Sequence, residues 1–342
     1  MGIHLAPQGS EYTVRIYSQS PVPVNEYPRT WSEFLDWFSS EEACLAYLEQ
    51  LRWPLGFVCP GCAVIATPSR ATRGRLLCKN CGHQSTVTAG TIFDKTRTPL
   101  KVWLAAAWYV TNQKQGVSAL GLQRVLGLGS YQTAWTILHR FRRAMVRPDR
   151  ERLKGVVEVD ETYLAIADRK QTAAAARGKG KSHKVPIVVA VEMLEPKGFG
   201  RIRLRRIAKE STEHVVPFVQ ASIEPGAKVR TDDSAIYRSL QSLGYVHERA
   251  VQLGSDVAPH VSMAGVHRVS SLIKRWALGT HHGSIQPEHL DAYLDEFVFR
   301  FNRRTSSSRG MLFYRLMQQA VVTDPVTYAD IVLSTEETAK AA

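Results

Sequence analysis

In GVHRVSSLIKRW, residues 265–276, the apolar Val266, Val269, Ile273 and Trp276 recur at i, i+3, i+7 and i+10, the repeat of one helical face. The opposite face then carries His267, Ser270 or Ser271, and Lys274. The same spacing predicts a helix from near Ser32, and a second over about Ser40–Leu51 with Cys44 as small core filler beside Tyr47, Leu48 and Leu51. TRTPLKVWLAAAWYVTNQ reads as a buried helix, with Thr98 as its N-cap and Pro99 in the first turn, where a missing N–H costs nothing. Residues 116–145 give a short helix, a glycine-bounded turn and a longer helix whose Ala134, Ile137, Leu138 and Phe141 share a face. That is a helix-turn-helix pattern.

From residue 155 the period changes. GVVEVDETYLA reads as a strand, VPIVVAVEML as a central strand buried on both faces, and GRIRLRRI as a half-exposed one. A helix from about Thr212, a strand AKVRTD, a helix SAIYRSL, a strand YVHERAV and the helix of residues 265–276 complete the series. Residues 1–28, with four prolines among polar residues, read as a flexible arm, and RGMLFYRLMQQA as one more helix before a polar tail. The expected organisation is an arm (1–28), a helical lead-in (29–54), a cysteine-bearing module (55–90), a helix-turn-helix region (91–150), a strand-rich domain (155–304) and a C-terminal helix and tail (305–342). The fold class is therefore multidomain, α+β followed by α/β.

Charge sharpens this picture. The 342 residues carry 44 Lys+Arg against 31 Asp+Glu, a net +13, which favours a polyanionic partner such as nucleic acid over an acidic small molecule. A membrane surface is the rival polyanion. No run of about 18 apolar residues occurs and the N-terminus lacks a signal-peptide pattern, so a soluble cytoplasmic, nucleoid-associated protein without a membrane partner is expected. Between the first two strands, ADRKQTAAAARGKGKSHK holds Arg169, Lys170, Arg177, Lys179, Lys181 and Lys184 and no acid after Asp168. It reads as a basic, mobile loop suited to DNA phosphates.

Three constellations carry chemistry. Cys59-Pro-Gly-Cys62, fifteen residues, then Cys78-Lys-Asn-Cys81 has the spacing of a four-thiolate zinc ribbon, with Gly61 and Gly82 supplying backbone freedom. A closed four-sulfur site is usually structural Zn²⁺, with iron the chemical alternative to the metal and His83 the alternative to one thiolate. In the helix-turn-helix, Ser130 is placed to cap the second helix, whose outward face offers Gln132, Thr136, His139, Arg140 and Arg143 to base edges and phosphates. The plain alternative is a helical hairpin with a solvated face. Lastly, Asp160 lies within the first strand and Asp232 at the end of the fourth, positions from which carboxylates can converge on two Mg²⁺ or Mn²⁺ ions for phosphoryl transfer. Alternatively Asp232 is a turn residue; Asp233 reads as the N-cap of the next helix. Glu158 points to the side of Asp160 and Glu161 to the other, as local salt-bridge partners.

The stretches RWPLGFVCPGC, CKNCGHQSTVTAGTIF, LGLGSYQTAW, VEVDETY, KRWALGTHHG and YLDEFVFRFNRR, in this order between about Trp53 and Arg304, resemble bacterial insertion-sequence transposases of family 1595. The resemblance implies a zinc ribbon joined to a DDE-type transposase domain with an RNase H-like mixed sheet flanked by helices. It implies Asp160 as the first catalytic acid and Asp232 as the second. The third position falls on the helix of residues 265–276, where His267 stands in the slot usually held by glutamate and Lys274 is the basic residue seven positions on. It further implies strand cleavage and transfer by a 3′-OH, at the terminal inverted repeats, with double-stranded DNA (element ends and target) as partner and a homo-oligomer assembled on it. The alternatives are a non-catalytic DNA-binding regulator and a structure-specific nuclease on the same fold.

Overall fold

The structure, a computed structural model, describes residues 27–166, 183–250 and 263–332. In chain order these form α1 (Trp31–Trp37), α2 (Glu41–Arg52), strands β1 (Ser69–Ala71), β2 (Arg75–Leu77) and β3 (Gln84–Thr86), then helices α3 (Leu100–Asn112), α4 (Ala119–Leu126) and α5 (Tyr131–Ala144). Strands β4 (Val156–Ile166), β5 (His183–Met193) and β6 (Phe199–Arg206) follow, then α6 (Thr212–Ser222), β7 (Lys228–Thr231), β8 (Val246–Arg249), α7 (Ala264–His281), α8 (Leu290–Phe301) and α9 (Arg309–Ala320). They fall into two units: residues 27–112, 124–129 and 307–326, and residues 113–123, 130–166, 183–250, 263–306 and 327–332. No helix among the described residues is long and apolar enough to cross a membrane.

In the first unit α1, α2, α3 and α9 bury Phe34, Phe38, Tyr47, Trp108 and Phe313 as one aromatic core, with ring centroids of neighbouring pairs 4.8–6.1 Å apart. Ser40 caps α2 as its sequence suggests, accepting from the Ala43 N–H. Thr98 does not cap α3. The Glu41 carboxylate does so from α2, accepting from the N–H of Leu100 at 2.8 Å and of Lys101 at 3.0 Å, and a full negative charge suits a helix N-terminus better than a hydroxyl. Between α2 and α3 lies the antiparallel sheet β1-β2-β3, with Cys78 and Cys81 between β2 and β3; ahead of it the isolated bridge Val58–Ile65 encloses Cys59 and Cys62.

The second unit is built on a five-stranded sheet of order β6-β5-β4-β7-β8. β5 runs antiparallel to both its neighbours, β4 and β6, and β7 and β8 run parallel to β4. Alternation along β4 sends Val157 and Val159 to one face, against α6 through Val215 and Val219, and Leu164 and Ile166 to the other, against α7 and α8. β5 is buried on both faces, as its unbroken apolar run requires. The stretch SAIYRSL forms only a 3₁₀ turn, Ala235–Tyr237, capped by the Ser234 hydroxyl rather than by Asp233, whose carboxylate pairs with Arg249 at 3.1 Å.

Candidate functional site

The four cysteines lie in the first unit with their sulfurs all within 4.8 Å of one another. The Sγ atoms of Cys59 and Cys81 are 3.6 Å apart and those of Cys62 and Cys78 3.8 Å, close to the edge of about 3.8 Å that a tetrahedron with Zn–S bonds of about 2.3 Å would have. The residues fit a structural zinc ion. The Val64 N–H and the Asn80 amide hold the Cys62 thiol down, while the neighbouring sulfurs, Cys62 first, push the Cys81 thiol up. His83 stays outside the sulfur set, and its ring packs where a Cβ on Gly61 would stand, 3.0 Å from such an atom.

In the second unit Asp160 and Asp232 stand on the neighbouring central strands β4 and β7, Asp232 directly after the last residue of β7. Asp160 Oδ1 accepts from the Glu161 N–H at 2.8 Å and Asp232 Oδ1 from the Ser234 N–H at 3.0 Å. Among the described residues no hydrogen bond reaches the second oxygen of either. Burial pushes Asp160 up to about 6, the Asp232 carboxylate raises it further, and His267 opposes both. His267 lies on α7, whose buried side is Val266, Val269, Ile273 and Trp276 as the periodicity requires, with Lys274 exposed. Its Nε2 is buried without a hydrogen-bond partner, an arrangement that suits a ligand atom better than a structural imidazole. The donor atoms of Asp160, Asp232 and His267 are electrostatic neighbours; among the described residues only the cysteines are drawn together tightly enough to enclose an ion.

Two further acids border this site. Glu161, on the α6 side, accepts from the Tyr237 hydroxyl at 2.7 Å and is pushed up to about 7 by burial and by Asp160 and Asp232. Glu158, on the α7 side, accepts from the N–H of Gly265 and Val266. The strand alternation foretold their opposite faces; these partners, tens of residues away, left no mark in the local pattern.

On α5, Gln132 and Arg143 are exposed, Thr136 donates its hydroxyl to the Gln132 carbonyl at 2.8 Å, and Arg140 is half-buried. His139 corrects the expectation. It is buried, its ring tilted against Trp135 and edge-on to His289 and Tyr293 rather than standing on the outward face, and burial first, then Arg142, holds it well below the usual imidazole range. Of the basic loop, Lys184 is exposed at the start of β5, while Arg169, Lys170, Arg177, Lys179 and Lys181 lie outside the described residues.

Comparison with known proteins places these features. The family model of the ISXO2-like transposase domain matches residues 152–302, and that of the transposase zinc-ribbon domain matches residues 39–84. A protein of Halobacterium salinarum, described as an uncharacterized protein in transposable element ISH50, is 29% identical over 283 residues, 77% of this chain and 91% of that one. The catalytic core domain of BIV integrase matches 45% of this chain and 86% of its own at 14% identity, with a TM-score of 0.28, too low to carry an argument. A zinc ribbon and a transposase domain in one chain, in that order, close the matter: the chain belongs to the transposases of insertion-sequence family 1595.

Proposed function

We propose that this transposase binds the terminal inverted repeats of its element and catalyses divalent-metal-dependent strand cleavage and transfer on an RNase H-like sheet. The observation that carries the reading is the pair Asp160 and Asp232 on adjacent central strands, each keeping one oxygen uncommitted, with the unpartnered Nε2 of His267 near Asp160. These three would hold Mg²⁺ or Mn²⁺, two ions in all, which when bound activate the attacking oxygen and stabilise the leaving one. The rigid sheet fixes the two carboxylates, so the scissile phosphate meets groups already in place. Lys274, exposed on the same helix as His267, neutralises a DNA phosphate and sets the strand in line for attack by water, and then by the freed 3′-OH. The chain supplies no covalent nucleophile in this scheme. Gln132, Thr136, Arg140 and Arg143 of α5, the zinc-loaded ribbon and the basic stretch from Arg169 to Lys184 bind the duplex, with the chain acting as a homo-oligomer on DNA.

The test is strand cleavage and joining on an element-end oligonucleotide. Asp160→Asn and Asp232→Asn are expected to lose at least about 10³-fold in cleavage while binding the end as the wild type does. Imidazole nitrogen suits Mn²⁺ better than Mg²⁺, so wild-type activity should be higher in Mn²⁺. His267→Ala should be inactive and His267→Glu should regain Mg²⁺-supported cutting. End binding without chemistry in either metal would identify a regulator, and cutting without joining a nuclease; full activity of Asp160→Asn would remove the assigned site.

A further inference from the structure

Glu158 is a carboxylate with a side chain only 1% exposed, in the middle of a sheet face. Such a group is costly to bury unless its oxygens are fully engaged. Oε2 accepts from the N–H of Gly265 at 2.7 Å and of Val266 at 3.1 Å, the first turn of α7. Oε1 lies 3.7 Å from Nη1 of Arg230, its register partner on β7. The helix has no cap of its own, since Met263 at that position offers no hydrogen-bonding side chain. One carboxyl group therefore ties β4, β7 and α7 together.

Those elements are the three that carry the proposed metal ligands, and the offsets are short. Asp160 is two residues beyond Glu158, Asp232 two beyond Arg230, and His267 one and two beyond the capped amides. Alternation turns Glu158 and Asp160 to the same face of β4. Gly265 shows how closely the helix is drawn in: a Cβ there would meet Glu158 Oε2 at 2.8 Å and Met193 Sδ at 2.7 Å. A local Ser or Asp cap would satisfy the same amides but would fix nothing relative to the strands.

We propose that Glu158 is a positioning residue: by holding the first turn of α7 against β4 and β7, it sets His267 opposite Asp160 and Asp232. The role rests on the metal-site reading above. Its partners are the α7 amides and Arg230, so its loss should act through the placement of α7, and with it of His267. The full-length chain is loaded with Fe²⁺ and treated with ascorbate and peroxide, so that hydroxyl radicals cut the backbone beside the bound ion. Wild type is expected to be cut near residues 160, 232 and 267. Glu158→Ala should lose the cut near 267, keep those near 160 and 232, and lower kcat for strand cleavage by on the order of 100-fold with end-DNA affinity unchanged. Glu158→Gln, whose amide oxygen still accepts both N–H groups, should keep all three cuts and most of the activity. Gly265→Ala displaces the same hydrogen bonds from the helix side and should reproduce the alanine pattern; it carries the test if Glu158→Ala does not fold. All three cuts persisting in folded Glu158→Ala or Gly265→Ala would overturn the positioning role alone. Absence of wild-type cuts near 160 and 232 would overturn the metal site and this role with it.

Discussion

Ala63 adopts φ +57°, at the position that Gly82 fills with φ +73° in the second knuckle, each directly after the second cysteine of its pair. Each donates its N–H to the carbonyl of the first cysteine, Ala63 to Cys59 at 2.8 Å and Gly82 to Cys78 at 2.9 Å. The knuckle thus imposes left-handed backbone there, and a Cβ resists it by roughly 1–2 kcal/mol. Gly82 escapes that cost, and nothing lies within 4 Å of where its Cβ would be, so strain rather than crowding decides the residue. Ala63→Gly is expected to stabilise the zinc-loaded ribbon by about 0.5–1 kcal/mol, part of the relief being offset by a looser unfolded chain. Gly82→Ala should weaken it by about 1 kcal/mol. The midpoint of competition with a zinc chelator measures both, and a weaker Ala63→Gly ribbon would show that the turn is not strained. Sequence spacing identified the knuckles and assigned the backbone freedom to Gly61 and Gly82; Gly82 uses it, whereas the bare α-carbon of Gly61 instead makes room for the His83 ring.

Helices α5, α7 and α8 meet around a buried ion pair. Arg142 Nε donates to Glu296 Oε2 at 2.9 Å, both side chains 1% exposed, and the guanidinium lies 3.8 Å over the Tyr293 ring. His281, at the end of α7, packs edge-on to Tyr293 and Trp276, and burial, then the Arg142 charge, pushes it down to about 4. Native His281 is therefore neutral between pH 4 and 6.5, where the unfolded chain takes up a proton, so stability from this group falls as pH falls through that window. Asp295, pushed up to about 7 by burial, works in the opposite sense, and comparison with a variant isolates the histidine. From pH 7 to pH 5, wild type should lose about 2 kcal/mol more stability than His281→Gln, read from denaturant melts; equal losses would mean that His281 is protonated in the native protein. The faces of α5 and α7 were legible because amphipathic periodicity is local, and β5 because an apolar run buried on both sides has few other readings. The ion pair was not, since its partners stand 154 residues apart, nor was the buried His139, which counts as polar in any pattern. Glu41 at the N-terminus of α3 and Glu158 at that of α7 escaped for the same reason: a cap supplied from a distant element replaces the local one that sequence reading looks for.

At the scale of the whole molecule, a net charge of +13 must be read with its distribution. The stretch from Arg169 to Lys184 concentrates six cations without an acid, immediately after the strand that carries Asp160. Cations there would neutralise phosphates flanking the scissile one and release counterions, a contribution blind to base sequence. Changing Arg169, Lys170, Lys179 and Lys181 to alanine lowers the formal charge by four, from +13 to +9. The slope of log K against log salt should then flatten by about 0.9 for each phosphate no longer neutralised, up to about 3.6, for element-end and random duplexes alike. Overall charge alone predicts otherwise. If only the long-range field mattered, a second variant without the exposed Lys114, Lys154, Lys197 and Arg238 would flatten the slope as much, because distant charges act through the same screened potential. Direct neutralisation of phosphates by the basic stretch requires the first variant to change the slope and the second to leave it nearly unaltered. Equal slopes in both variants would withdraw the stretch from the DNA interface and leave end recognition to the ribbon and α5.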